Sequence, residues 1–598
     1  MNLQIRPSRT LGLVLACALM PWFALATGPG NLDPTFGEGG KVTTDFPGGS
    51  DGVTDIAIQK NGKIVAVGFA GSDFAVTGDF AVARYNRDGS LDAPFGNGGV
   101  VTTDFAGSRD EAGAVVLQPD GKIVVVGTAR AGSNPNFAVA RYNRDGSLDA
   151  TFGLGGMVTT DISGEFDQAT GVALQTNGKI VVVGETRSGG AAGIDFALVR
   201  YRRDGSLDTG FGEGGIVITD FAGGDDAAHA VALRPDGRIV VAGETNGAGS
   251  QADFALACYN LDGSLCSTFG QGGKVTTDFH GSTSSTDRAY ALAILPNAKI
   301  IVAGTAHSTS TSQDFALARY RWSGRLDRRF GSGGRVTTDF FGDTDTGVAI
   351  ALDSHDRILV AGSAIVGDSG RDDFAVARYR ADGRLDERFG TGGKVSTDFF
   401  ADSDGARAVA VQPNGRIVAG GIAQRAITLD GIAQETVFAL VRYRAGKPRC
   451  DEVELTACLD EDVDLGTGRS RWIKEISGSA AYLDRDGGFC GPRGYYYVAG
   501  QTGRIRVEVD VARAGRYELR FRYRVGSEGQ ADESVRVLAG GRSFDFHDSD
   551  LDNSDRWELS PPLEVTLDGG RQAIEFLSIG RDSVHLDEIS LEGGCEGD

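Results

Sequence analysis

Positive charge is in short supply. Lys and Arg number 59 against 81 Asp and Glu, giving a net charge of −22 and a pI near 4.8. Such an acidic chain repels phosphodiester backbones, which excludes electrostatic binding to DNA or RNA. Histidine is also scarce, with six in the chain. None recurs at a fixed spacing, and none falls in an H-E-x-x-H metal motif. G-x-S-x-G, P-loop and C-x-x-C signatures are absent, so no motif announces catalysis and a non-catalytic protein without a cofactor is expected. Long apolar runs are missing after the first one, Leu11 to Ala26. Arg6 and Arg9 precede that run, and Ala24-Leu25-Ala26 closes it as a small-x-small cleavage signature. Residues 1–26 therefore read as a signal peptide and not a membrane span. Lipid attachment at Cys17 is the rival, but Leu15 is bulky for it and apolar residues continue past the cysteine. The expected location is extracytoplasmic, secreted or at the cell surface. Six of the seven cysteines follow the leader, an even number suited to an oxidising compartment.

Glycine is plentiful, 89 of 598 residues. Turns at that density imply many short strands. The phrase Leu-x-x-x-Phe-Gly-x-Gly-Gly begins at Leu32, Leu91, Leu148, Leu207, Leu265, Leu326 and Leu385, at spacings of 57 to 61 residues. A fixed period means an array of equivalent units. Each unit reads as four strands; in the fourth these are Ala230–Leu233, Arg238–Gly243, Phe254–Tyr259 and Lys274–Phe279. Asp236-Gly237 supplies the positive φ of a tight hairpin. Four-stranded units in tandem suggest a β-propeller, here seven-bladed over residues 27–446, with an open solenoid as the alternative. The array begins with a fourth strand, Lys41–Phe46, and ends on a third, Phe438–Tyr443. The first strand should therefore complete the last blade and remove the open edges.

One couple repeats eight residues apart: Arg84 and Asp92, Arg141 and Asp149, Arg200 and Asp208, Arg319 and Asp327, Arg378 and Asp386. In one unit both members change together, to Cys258 and Cys266. Joint replacement implies contact, so an Arg–Asp bridge gives way to a disulfide. Arg442 has no downstream Asp, and closure of the ring would give it Asp33. The rhythmic aromatics, Phe36 to Phe389 in one position and Phe80 to Phe438 in another, read as packing between blades. The turn Asn86–Asp92 lacks the order of a calcium loop and reads as a plain turn.

The phrases DGSLDATFG (145–153), GGKVTTDF (272–279) and PDGKIVVVG (119–127) resemble the bacterial delta-60 repeat family, which is assigned to β-propellers. The resemblance covers residues 32–446 and implies a fold without implying an activity.

Residues 447–598 do not repeat. They alternate polar and apolar residues, as in Ile505–Val509, Tyr517–Tyr523, Ser534–Leu538 and Ala573–Phe576, which suggests a β-sandwich. Cys450, Cys458, Cys490 and Cys595 allow three disulfide pairings. The run GYYYVAGQTGRIRVEVDVARAGRYELRFRYR (494–524), with Trp557, VTLDGGRQAIEF (565–576) and VHLDEISLE (584–592), resembles carbohydrate-binding modules of families 6 and 35. That resemblance implies a galactose-binding-like jelly roll. It implies sugar stacking on Tyr495, Tyr496, Tyr497 and Trp557, a polar sugar contact at His585, and a structural calcium at Glu475 and Asp587. The chain departs from the pattern in lacking the Glu-Ala-Glu opening and in carrying His585 where Asn is usual.

In an antiparallel blade the connections alternate between two faces. Asp-Gly and Phe-Gly turns share the constant face. The opposite face varies and carries Asp110-Glu111, Asp225-Asp226, Asp343, Asp345, Asp402 and Asp404, an acidic rim suited to a cationic or divalent-bridged partner. His229 and His355 are assigned to repeat loops or turns. The expected function is glycan recognition by a monomer, with an extracellular protein as the alternative partner. A deep central pocket with converging acids and a His or Tyr would instead favour a hydrolase or lyase.

Overall fold

The computed structural model describes residues 28–445 apart from loop positions 48, 74–76, 106, 132–133, 188–192, 222, 248–250, 281–285, 296, 308–311, 367–369 and 427–433; within 446–598 it describes the backbone of strands alone. Seven antiparallel four-stranded sheets follow one another through residues 41–443. In each, strand a is innermost and strands b, c and d step outward. In blade 4 these are Asp226–Leu233, Ile239–Thr245, Asp253–Tyr259 and Lys274–Thr277. Strands b and c are buried on both sides, so they read as apolar runs such as IVVAG and FALACY. Strand a alternates, with one side on the core and the other toward the centre of the ring.

The ring closes as expected. Lys41–Thr44 pairs antiparallel with Val441–Phe438 and supplies strand d of blade 7. The outer edge of blade 7 is thereby a strand of four residues, as short as that of the other blades. A set of seven buried bonds runs around the ring: a strand-c tyrosine bonds a strand-d threonine of the neighbouring blade. Tyr85 reaches Thr44 at 2.8 Å and Tyr443 reaches Thr397 at 2.8 Å, so the set crosses the closure without a gap.

The Arg–Asp couples are real and do more than bridge one turn. Arg84 Nε donates to Asp92 at 2.6 Å, Arg200 to Asp208 at 2.7 Å and Arg378 to Asp386 at 2.8 Å. Each guanidinium lies over the Phe of its own turn, as Arg200 does over Phe211 at 4.2 Å. Its other end donates to a main-chain carbonyl of the next blade, as Arg200 does to Leu261 at 2.5 Å. The arginine thus ties turn, aromatic and neighbouring blade together. Arg442 finds Asp33 across the closure at 3.0 Å, with both side chains buried.

In blade 4, Cys258 and Cys266 form a disulfide with Cα atoms 5.4 Å apart. The bridge replaces the couple but not its reach toward blade 5. Arg234 supplies that reach: its guanidinium sits 3.3 Å from the Trp322 ring centre and 3.8 Å from Cys258 Sγ. Three residues therefore change together where one arginine served elsewhere.

One backbone constraint shapes strand a. Opposite it, each strand b carries a glycine, and a Cβ on Gly243 would strike the Ala227 carbonyl. The close approach accompanies a β-bulge in every strand a, between Ala228 and Ala230 in blade 4. In residues 457–594, strands pair into a seven-stranded and a five-stranded antiparallel sheet.

Two outcomes are expected. Arg442→Ala leaves Asp33 with Arg416 at 2.5 Å as its remaining cation and should cost about 1.5–3 kcal/mol of stability, read as a lower urea midpoint. Reduction should lower the Tm of the wild-type chain. The triple variant Cys258→Arg, Cys266→Asp and Arg234→Gln rebuilds the couple used elsewhere, and reductant should lower its Tm by less than it lowers that of wild type, any remaining shift belonging to Cys450, Cys458, Cys490 and Cys595.

Candidate central-channel site

The bulge re-aims one side chain per blade toward the ring axis. The seven bulged residues are Thr54, Gly113, Thr170, His229, Tyr290, Val348 and Arg407. All seven line one central cavity of about 550 Å³. This corrects the assignment of His229 to a loop or turn: it lies within strand a of blade 4. His355 does occupy a turn. The sequence held a signal for this ring. Counting from the first Asp of each strand a, the second and fourth residues change chemistry from blade to blade. They read Gly52 and Thr54, then Glu111 and Gly113, and end at Gly405 and Arg407.

Half of the ring is stitched to itself. Thr54 donates to the Ala112 carbonyl and Thr170 to the Ala228 carbonyl, both at 2.7 Å. Asp55 accepts the amides of Ile56 and Val115 at 2.8 and 2.9 Å, and burial holds its pKa up at about 6. The other half offers chemistry to a ligand. His229 and Tyr290 have ring centres 5.2 Å apart. Burial, then Arg288, lowers the His229 pKa to about 4, so its imidazole is neutral at physiological pH. Its Nε2 is buried and has no hydrogen-bond partner. Beside it Arg288 pairs with Glu244 at 2.5 Å. Burial, then the neighbouring carboxylates Glu244 and Asp225, pushes Glu185 up to about 7. In this half, His229 and Tyr290 line the cavity itself, a neutral imidazole beside a phenol ring.

The acidic rim needs correction. Asp110, Asp226, Asp345 and Asp404 are buried, because each turns inward to accept main-chain amides of the connection before it. The remaining acids of that group are not the same kind of residue: Asp343 is exposed.

Of the other residues singled out, Tyr495, Tyr496 and Tyr497 fall on strand Tyr495–Val498, and His585 and Asp587 on Val584–Gly594. Backbone register pairs Tyr497 with His585. Glu475 lies on Ile473–Ser477 in the five-stranded sheet, whereas Asp587 belongs to the seven-stranded one. Cys458 pairs by register with Glu588. Trp557, Cys450, Cys490 and Cys595 lie outside the described residues. No helix among the described residues is long and apolar enough to cross a membrane.

Six segments of the chain match a β-propeller family. They are residues 59–95, 118–152, 175–211, 234–269, 295–330 and 356–389, and the family is described as a domain of unknown function (DUF5122) beta-propeller. Each segment runs from an a–b turn to the Phe-Gly turn after strand c. No curated protein matches the chain. Similar solved structures include the exo-β-1,3-galactanase of Phanerochaete chrysosporium, 12% identical over 74% of this chain and 99% of that chain, with a TM-score of 0.27. A virginiamycin B lyase from Staphylococcus aureus is 10% identical over 67% of this chain and 98% of that one, TM-score 0.35. A family 35 carbohydrate-binding module from Clostridium thermocellum is 20% identical over 20% of this chain and 92% of that one, TM-score 0.17.

The raised Glu185 gives a pH signature. A carboxyl whose folded pKa exceeds its unfolded one contributes less as pH rises through the interval, here from about 4.5 to about 7. Glu185→Gln keeps the shape and removes the titration. In urea denaturation its stability relative to wild type should rise between pH 5 and pH 8.

Proposed function

We propose that this is an exported, non-catalytic binding protein that recognises extracellular or cell-wall glycan. The observation that carries binding is the bulge ring: a repeated scaffold changes chemistry at seven positions that face one cavity. Residues held for packing recur from blade to blade; positions 54, 113, 170, 229, 290, 348 and 407 hold six different residue types. Diversity in a cavity lining is what recognition requires and stability does not.

The glycan reading rests on the C-terminal region. Its sequence resembles sugar-binding modules, and its two sheets are read as the faces of a jelly-roll sandwich spanning 447–598. Flat aromatic rings at Tyr495, Tyr496, Tyr497 and Trp557 would cover pyranose C–H faces, with His585 as a polar contact beside Tyr497. The channel would then be a second recognition surface, lined by His229, Tyr290 and Arg407.

His229 beside Tyr290 also favours a second reading, a hydrolase or lyase. Two features weigh against it. An imidazole with a pKa near 4 is a weak general base at neutral pH, and Glu244 is neutralised by Arg288.

The test uses the full chain in affinity gels containing soluble polysaccharides and on a glycan array. Retardation is expected, lost in Trp557→Ala and Tyr497→Ala with melting unchanged. Absence of retardation by every glycan would overturn the sugar reading. Cleavage of a glycan, abolished in His229→Ala, would replace binding with catalysis.

A further inference from the structure

The face expected to stay constant departs from its own pattern in blade 5. Segment 321–335, from the end of strand c to the start of strand d, carries five arginines against one aspartate. Its counterparts in blades 1 and 2, segments 86–100 and 143–157, each carry one arginine against two aspartates. The single acid of the blade 5 segment, Asp327, is buried and already held by Arg319 and Lys299, at 2.9 and 3.0 Å. Arg321, Arg325, Arg328 and Arg329 are exposed, and among the described residues none of these four side chains pairs with a carboxylate. Trp322 lies in the same turn, 42% exposed, with the Arg234 guanidinium against its ring.

The stability of the turn does not call for these residues. In each of blades 1 to 4 a serine donates its amide and its hydroxyl to the aspartate two residues earlier, at 3.0 and 2.7 Å. In blade 5, Ser323 stands in the aspartate's place and Arg325 in the serine's, so the acceptor carboxylate and the donor hydroxyl are both gone. The turn closes without them: the Gly324 amide donates to the Arg321 carbonyl at 2.9 Å, as Gly146 does to Asn143 at 3.1 Å. Positive charge has replaced local hydrogen bonding, in a chain whose net charge is −22. The patch also continues into blade 6. The Gly331 amide donates to the Asp382 carbonyl at 2.9 Å, which joins the Phe-Gly turn of blade 5 to the turn that follows strand c of blade 6. That turn adds exposed Arg380 and Arg384, and Arg384 meets Asp382 at 3.7 Å.

We propose that this ridge binds a polyuronate chain, as a further glycan surface that rests on the glycan function proposed for the protein. An arginine fork matches a carboxylate. Trp322 offers a flat apolar ring to the C–H face of a sugar. A uronate polymer presents both groups in every unit. Nucleic acid fits less well: DNA carries a charge about every 1.7 Å of axis, and the acidic remainder of the chain repels it strongly. A polyuronate carries one charge per sugar ring, so less repulsion opposes it. At physiological salt, exposed charges more than about 8 Å away are largely screened, and the local patch decides.

The test is binding of the full chain to immobilised polygalacturonate, with melting measured for every variant. Retention is expected at about 0.1 M NaCl and should be lost by about 1 M, where the screening length falls to about 3 Å. Arg325→Ser, Arg328→Ala and Arg329→Thr together install the residues that blade 2 carries as Ser147, Ala150 and Thr151, so the turn keeps a sequence already used in this ring. This triple variant should raise Kd about tenfold. Trp322→Leu installs the residue that blade 4 carries as Leu261 and should raise Kd about threefold without changing the salt dependence. Trp557→Ala should leave binding to polygalacturonate unchanged. Failure of the wild-type chain to bind at low salt overturns the proposal, and so does a triple variant that melts as wild type and binds as tightly. If Trp322→Leu changes nothing, the ridge reads charge alone and the polyuronate assignment falls. If Trp557→Ala abolishes binding and the triple variant does not, the sugar site lies in the C-terminal region: this proposal fails and the glycan function stands.

Discussion

A ring of seven sheets stands or fails on what holds each blade to the next, and here an arginine does most of it. Its guanidinium is planar and carries a fork of donors, so one side chain satisfies a buried carboxylate, covers an aromatic face and reaches a carbonyl on the neighbouring blade. The buried aspartate is met twice over in blades 1, 2, 3 and 5, by the arginine and by a lysine, as Asp149 is by Arg141 and Lys122 at 2.7 Å each. Burial alone would raise the Asp149 pKa, but hydrogen bonds from Lys122 and Thr151 and the charge of Arg141 hold it well below the usual range. Charge is tolerated at these turns because the carboxylate is matched by a cation on each side. Blade 4 shows how many roles the arginine has: replacing it took a covalent bond and a second cation stacked on Trp322.

Much of this was legible in the sequence because it repeats. A period near 59 residues separates blades, strand order follows from turn residues, and the incomplete ends announce the closure. Joint change at Cys258 and Cys266 revealed a contact without any coordinates. Legibility failed where geometry departs from simple alternation. A bulge inserts one residue, so His229 points inward although the pattern around it suggests irregular chain. Asp110, Asp226, Asp345 and Asp404 looked like surface charge because acids usually are. Main-chain amides in the preceding connection draw them inside, and hydropathy carries no record of those amides. Tyr497 and His585 could be named from motif but not linked; only strand register places them opposite each other.

Positions in a blade divide by what they face. Those facing a neighbouring blade hardly change, since packing, tyrosine–threonine bonds and arginine contacts must all be met at once. Those facing the axis are free, because a wide channel imposes no close packing. The same division explains how polar chemistry such as the His229–Tyr290 pair can arise in a repeat array without endangering the ring.

Closure through Lys41–Thr44 also sets a timetable. The strand that finishes blade 7 is the first to emerge, and its partner Phe438–Val441 lies about four hundred residues later. Until that partner arrives, the first strand has no sheet to join, and blade 7 cannot be built from its own three strands. Pairings this distant in sequence are slow to form. The ring therefore closes last, only once the final repeat is present to receive the first strand.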